Sequence, residues 1–212
     1  MSERKFKLLD NIEPYAYPLS AVFVLIAIFY GFSNYNLTQL EYAPLSYYGT
    51  LAQTKFVFNL SLIITSIFSA FFARYIIRKL ELGSELITLI LSVSVIGLLG
   101  IPLFPVPLQT QEPNFANFIH NFFARVGVLG FSTALLLIYW KIIIKDFVKL
   151  GSIKSKYANK YIIASFILSV LTVLVAFIFV ATKQNFMYQQ LSILLVGGSA
   201  VFLFWLGLLK IK

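Results

Sequence analysis

"NFANFIHNFFARVGVLGFSTALLLIYWK", residues 114–141, decides the fold class. It opens on amides, the only histidine of the chain (His120) and a permanent cation (Arg125), then runs apolar until Trp140 and Lys141. A helix rises about 1.5 Å per residue, so the roughly 20 residues from Asn121 to Lys141 match a hydrocarbon core of about 30 Å. A tryptophan followed by a lysine is how such a helix meets the headgroup layer. The stretch reads as a membrane span with a polar mouth.

The rest of the chain has the same character. Of 212 residues, 59% are hydrophobic and only 12% are charged, against about 25% charged in soluble domains. So few charges cannot cover the surface of a soluble protein of this size. The expected fold is all-α, a polytopic membrane helix bundle formed by a single transmembrane domain over 1–212. Its six transmembrane helices are expected near 17–32, 55–77, 85–103, 115–144, 161–182 and 186–211. The first is short, and no small-residue cleavage site follows it, so it reads as a retained span rather than a signal peptide.

Lys and Arg placement sets the orientation. Fourteen of the 17 fall on one side: Arg4, Lys5, Lys7, Arg74, Arg78, Lys79, Lys141, Lys145, Lys149, Lys154, Lys156, Lys160, Lys210 and Lys212. The other side holds only Lys55 and Lys183, and Arg125 lies within a span. Basic connections stay in the cytoplasm, so both termini are expected there, in a multi-pass protein of the cell membrane. Trp140 and Trp205 precede the basic ends of their helices and agree with this, as do Tyr75, Tyr157 and Tyr161. The net charge of +9 is spread between apolar runs rather than gathered on one face. It therefore reports topology and gives no nucleic-acid partner.

The outward connections are 33–54, 104–114 and 183–185. The first is aromatic and punctuated by Pro and Gly, so it is expected to fold over the mouth of the bundle. It carries an Asn-Leu-Thr triplet at Asn36, a spacing common by chance. Small residues in "GLLG" (97–100), at Gly127 and Gly130, and in "VGGSA" (196–200) are expected to let helices approach closely.

Polar groups inside apolar helices need a reason. His120 sits at the outer boundary, and Arg125 lies about 6 Å below that boundary, four residues on from Asn121. Asn59 precedes Arg74 by 15 residues and Arg125 precedes Lys141 by 16, so the amide and the cation share a depth. Asn117, His120, Asn121 and Arg125 are expected to form a polar stripe facing the bundle interior. Such a pocket would recognise an anionic group: Arg125 supplies charge, the asparagines supply directional hydrogen bonds and His120 supplies a proton near neutrality. Glu41 and Glu112, the outward acids, are alternative partners for Arg125. The bland reading is an arginine that snorkels to lipid phosphates and a histidine at home in the interface.

No cysteine is present, which removes disulfides, thiol catalysis and cysteine-held clusters. A single histidine excludes bis-histidine haem ligation and multi-histidine zinc sites built from this chain alone. No phosphate-binding glycine loop or nucleophile–base pair is visible, and the sequence supplies no geometry that would make Ser46 and His120 a hydrolytic pair. No catalytic residue, metal ligand or cofactor is assigned.

"LSYYG" (45–49), "FN" (58–59), "GIPLFP" (100–105) and His120 together resemble the domain of unknown function 998 family, bacterial and archaeal membrane proteins of about six helices. The matching positions are Ser46, Gly49, Asn59, Pro105 and His120, within residues 20–145. Two residues separate Ile101 from Phe104–Pro105, where a more compact turn is usual, and Arg125 is not part of the pattern. The layout is similar, more loosely, to the eukaryotic membrane family of autophagy modulators and a GPI-anchor lipid-remodelling protein, which implies lipid handling.

Three functions follow as expectations. The first is a membrane protein whose outward polar pocket binds a lipid headgroup or small anion through Ser46, Asn59, Asn117, His120, Asn121 and Arg125, with membrane lipids as partners. The second is an accessory or scaffold subunit with other membrane subunits as partners. The third, a transporter or membrane-embedded enzyme, ranks last because no acid sits at mid-membrane depth to couple proton movement.

Overall fold

The computed structural model describes residues 11–36, 45–81, 84–105, 115–144, 160–182 and 186–211. Among these the architecture is all-helical. A 3-10 turn, Glu13–Tyr15, leads into α1 (Ala16–Asn34), and a second, Leu45–Gly49, precedes α2 (Lys55–Lys79). Then come α3 (Glu85–Leu103), α4 (Phe115–Tyr139) with a π-helical turn over Trp140–Ile144, α5 (Lys160–Thr182) and α6 (Phe186–Leu209). Five stretches are long and apolar enough to cross a membrane: 13–34, 55–79, 85–103, 115–142 and 190–209. Among the described residues, a shorter apolar helical stretch covers Lys160–Val175 of α5.

The boundaries follow local chemistry. The first helix runs slightly past its expected span at both ends, and Pro18 falls in its first turn, where a missing N–H costs nothing. It closes at Asn34, whose side-chain amide donates to the Tyr30 carbonyl at 2.8 Å. Ser84 opens α3 as its N-cap, with Glu85 in the first turn. At the other end of α3, Pro102 and Pro105 stop the ladder. Pro102 falls in the last turn of the helix, and Pro105 has no N–H to give to the Ile101 carbonyl.

The helices pack chiefly as sequence neighbours: α1 on α2, α2 on α3, α3 on α4 and α5 on α6. Lipid tails are as apolar as leucine, so these contacts rest on close packing rather than on the exclusion of water. The α3–α4 crossing shows how. A Cβ on Gly97 would collide with the backbone of Gly127, one on Gly100 with the Phe123 ring and one on Gly130 with Ser94 Oγ. The expected tight approach at "GLLG" and Gly127/Gly130 is therefore present. Gly198 in "VGGSA" differs, since a Cβ there would meet nothing within 4 Å. What α6 offers at this point is a backbone carbonyl, which accepts from the Tyr17 hydroxyl at 2.6 Å.

Two apolar clusters hold the bundle. At the basic end, Ala16, Phe72, Ile76, Leu91, Ile138, Tyr139, Ile162, Phe204 and Leu208 form one core to which all six helices contribute. Tyr139 is fully buried there, and its hydroxyl meets Ser165 Oγ, which in turn donates to the Ala200 carbonyl. This satisfies a polar group in a place where an unpaired one would be costly. At the outer end, Ala27, Leu45, Tyr48 and Phe58 cluster with Phe32, Leu62 and Leu191.

Of the 33–54 connection expected to fold over the mouth, 45–54 packs onto this end of the bundle, and 37–44 lies outside the described residues. Tyr48 is fully buried, and its ring occupies the space beside Gly31, where a Cβ would lie 2.6 Å from the ring. The Leu45 N–H donates to Gln190 Oε1 at 2.8 Å, tying the connection to α6. Thr54, also fully buried, donates from Oγ1 to the Tyr48 carbonyl at 2.6 Å.

Candidate functional site

Each polar residue expected at the outer mouth has a defined place. Ser46 is half-buried on the Leu45–Gly49 turn. Asn59 is half-buried near the start of α2 and donates from Nδ2 to the Gly49 carbonyl at 3.0 Å. Its Oδ1 is buried and accepts no hydrogen bond. A Cβ on Gly49 would lie 2.5 Å from that oxygen, so glycine is what lets the turn sit on the amide.

His120 is 5% exposed. Its Nδ1 lies 2.7 Å from the Phe104 carbonyl, and the Ile101 backbone also reaches the ring. A carbonyl only accepts, so Nδ1 carries the proton and donates. Carbonyls of the last helical turn have no donor within the helix, and at Ile101 the donor would have come from Pro105. His120 therefore caps the end of α3 that the prolines leave open, while Phe104 stacks on Phe123 with centroids 5.3 Å apart.

The remaining residues of the stripe part from it. Asn117 is half-buried, whereas Asn121 and Arg125 are exposed. The expectation of one inward face is corrected by helical phase. Each residue turns about 100°, so Asn121 is about 100° and Arg125 about 140° around the helix from His120. The buried stripe of α4 runs His120, Gly127, Ala134, Leu135 and Ile138. Arg125 instead shares the exposed face with Phe118, Phe122 and Leu129, which are 68%, 52% and 61% exposed. Asn59, matched to Arg125 in depth, is turned to Gly49. Glu41 and Glu112, the outward acids considered for Arg125, lie outside the described residues.

A second polar cluster, not expected from the sequence, lies at the basic end. Glu13 is 2% exposed. Its Oε1 is 2.8 Å from Arg74 Nε and its Oε2 is 3.1 Å from Arg78 Nη1. Arg74 and Arg78 are one turn apart on α2, so both guanidiniums reach the same side. The Trp205 indole donates to the Pro14 carbonyl at 2.6 Å, which pins the same 3-10 turn to α6. The signal in the sequence is slight: an acid before a proline (Glu13–Pro14) and an Arg-x-x-x-Arg spacing at Arg74 and Arg78. Next to this clasp is an open cleft of about 210 Å³ lined by Glu13, Tyr75, Arg78 and Lys79.

Among the described residues, no group of three or more His, Cys, Asp or Glu side chains is placed to hold a metal ion. The fold and its polar ends define an integral, multi-pass helical membrane protein. No family model, curated protein or solved structure matches this chain.

Proposed function

We propose that this protein, resident in the cell membrane, binds an anionic lipid headgroup in the outer leaflet through Arg125 and Asn121. The observation that carries the reading is the exposure of Arg125 in an otherwise apolar stripe of α4. A guanidinium below the interface is costly in hydrocarbon unless an anion meets it, and a phosphate supplies two acceptors in the geometry its fork prefers. Asn121, exposed one turn nearer the outer boundary, adds an amide, and half-buried Asn117 adds another at the flank. His120, on the Phe104 carbonyl, and Asn59, on the Gly49 carbonyl, serve the packing of the bundle and lie away from this face. This reading moves the ligand from an enclosed pocket to the outer side of α4. It keeps the lipid handling that the sequence resemblance suggests.

Lipid retention tests it. The full chain and its Arg125→Leu variant are reconstituted in phosphatidylcholine nanodiscs containing a minor fraction of phosphatidylglycerol, and bound lipid is counted by native mass spectrometry. Arg125→Leu is expected to lower phosphatidylglycerol retention several-fold with its helical content intact. Equal retention by the two folded proteins overturns the reading. In that case a cross-link from position 125 to another polypeptide in native membranes would identify the stripe as the seat of a partner subunit.

A further inference from the structure

We propose that α4 and α5 part into a wedge open to the outer leaflet, and that this wedge seats the acyl chains of the anionic phospholipid whose phosphate meets Arg125. The inference rests on the reading of Arg125 as a headgroup site and gives that site a second wall.

The two helices meet at the basic end. There Tyr139 is fully buried, and its hydroxyl meets Ser165 Oγ and, at 3.4 Å, Ser169 Oγ. Its ring packs edge-on against Phe166 with centroids 5.5 Å apart. Followed outward, each contact face loses its cover. Steps of three and four residues keep to one side of a helix, so the α4 face of Tyr139 and Leu135 continues through Ser132 to Val128, Arg125 and Asn121. Leu135 is 4% exposed, Ser132 is half-buried, Val128 is 49% exposed, and Arg125 and Asn121 are exposed. The matching face of α5 runs from fully buried Ile162 through half-buried Phe166 and Ser169 to Val173, which is 51% exposed. Two faces that touch at one end and are both uncovered at the other enclose a wedge.

The neighbouring helices hold it open. On the other side of α4, α3 packs at Phe123, Gly127 and Gly130, about 140–160° around the helix from Arg125. The outer end of α6 is drawn away towards α1 and α2, where Gln190 takes the Leu45 N–H and Leu191 joins the cluster of Ala27 and Phe58. The outer part of α5 goes with α6, since Thr172 lies against Gly197 there.

Apolar walls in a bilayer are completed by close packing, either with acyl chains or with another helix. Depth and charge select the chains. Ten residues separate Arg125 from Leu135, about 15 Å of helix and half of a hydrocarbon core of about 30 Å. The wedge is therefore one leaflet deep. A partner's membrane-spanning helix would have to continue through the inner leaflet, where Tyr139, Ser165 and Phe166 close the space. A phospholipid of the outer leaflet needs only this depth, and its phosphate lies within reach of a guanidinium about 6 Å below the boundary.

The test places bulk in the wedge from the α5 side, away from the headgroup site. The full chain, Arg125→Leu, Val173→Trp and Leu171→Trp are compared for phosphatidylglycerol retention in phosphatidylcholine nanodiscs by native mass spectrometry. Leu171 is also exposed but lies about 200° around α5 from Val173. Val173→Trp is expected to lower retention several-fold and Leu171→Trp to leave it unchanged. Loss in Arg125→Leu with parental retention in Val173→Trp would keep the headgroup site and overturn the wedge. Parental retention in Arg125→Leu would overturn the headgroup reading and this inference with it. Photolabelling of the parent chain gives a second measure that needs no bulky variant. Phosphatidylglycerol with a diazirine midway along one chain is expected to label Val128, Ser132 and Val173 above the lipid-exposed Leu89 and Val93 of α3, and an even spread would overturn the wedge. A cross-link from position 173 to another polypeptide in native membranes would assign the space to a partner's helix and overturn the lipid as its occupant.

Discussion

The His120 imidazole donates from Nδ1 to the carbonyl of Phe104 across the α3–α4 connection, at 2.7 Å. The residue that looked most like chemistry is thus a cap on a helix end, made necessary by a proline that cannot complete the ladder. Its tautomer is fixed by the acceptor, and its ring is held between two helices that cross at paired glycines.

Removing that cap should cost stability. His120→Ala removes the donor to the Phe104 carbonyl, an expected loss of about 1 kcal/mol. His120→Asn, which retains a donor, should recover part of it. Thermal unfolding in detergent measures both. A His120→Ala protein as stable as the parent would remove the capping role.

The α3–α4 crossing should tolerate no side chain at Gly97. Gly97→Leu drives a branched chain into the Gly127 backbone and is expected to cost several kcal/mol or prevent folding. Gly198→Ala meets only open space, so it should be neutral or stabilise by up to about 1 kcal/mol through its better helix propensity. Monodispersity and melting temperature of the two variants give the comparison. Equal tolerance would argue against the close crossing.

The outer connection should loosen when its anchor is lost. Tyr48→Ala empties the fully buried position under Gly31 and Phe32, with a loss of about 3 kcal/mol or more expected for an aromatic core residue. Protease cleavage between α1 and α2 should rise sharply in this variant while the other connections keep their parental rates. Gln190→Ala, which removes only the tie to the Leu45 N–H, should have a smaller effect in the same direction, about 1 kcal/mol.

The basic-end clasp should be asymmetric. The double variant Arg74→Gln/Arg78→Gln strands the Glu13 carboxylate in a buried site, whereas Glu13→Gln removes the buried charge and leaves half-exposed guanidiniums that water can solvate. Stranding a buried charge is the costlier change. The double variant is expected to lose about 2 kcal/mol or more and Glu13→Gln distinctly less. Chemical denaturation of the purified variants would show the order, and the reverse order would contradict the burial of Glu13.

Orientation can be read directly because the chain has no native cysteine. A single cysteine at Gln53 should react with a membrane-impermeant maleimide added to intact cells. One at Lys210 should react only after the membrane is opened. Labelling in the opposite pattern would invert the topology deduced from the basic residues.

Much of the bundle was legible without coordinates. Apolar length placed the helices to within a few residues, because a hydrocarbon core leaves a backbone little choice except to satisfy itself as a helix. A fold of the 33–54 connection over the mouth was expected from its aromatic and Pro/Gly character, and its described part, 45–54, packs that way; the Gly97–Gly127 approach was expected from its small residues. The site was less legible. Depth is a one-dimensional quantity that counting residues supplies, so Asn59 and Arg125 could be set at one level. Whether they face one another depends on helix rotation, and five residues of separation carry Arg125 to the far side of α4 from His120.

The sequence by itself determined that this chain crosses a membrane as a helix bundle, with its basic connections on one side, since those properties follow from apolar length and charge order along the chain. The tertiary structure alone decided that His120 caps α3, that Asn59 holds Gly49, that Arg125 lies on the exposed face and that Glu13 is clasped by two arginines 61 and 65 residues away. Contacts of that kind depend on how helices rotate and cross, and packing between neighbours fixes that, not the order of residues within any one span.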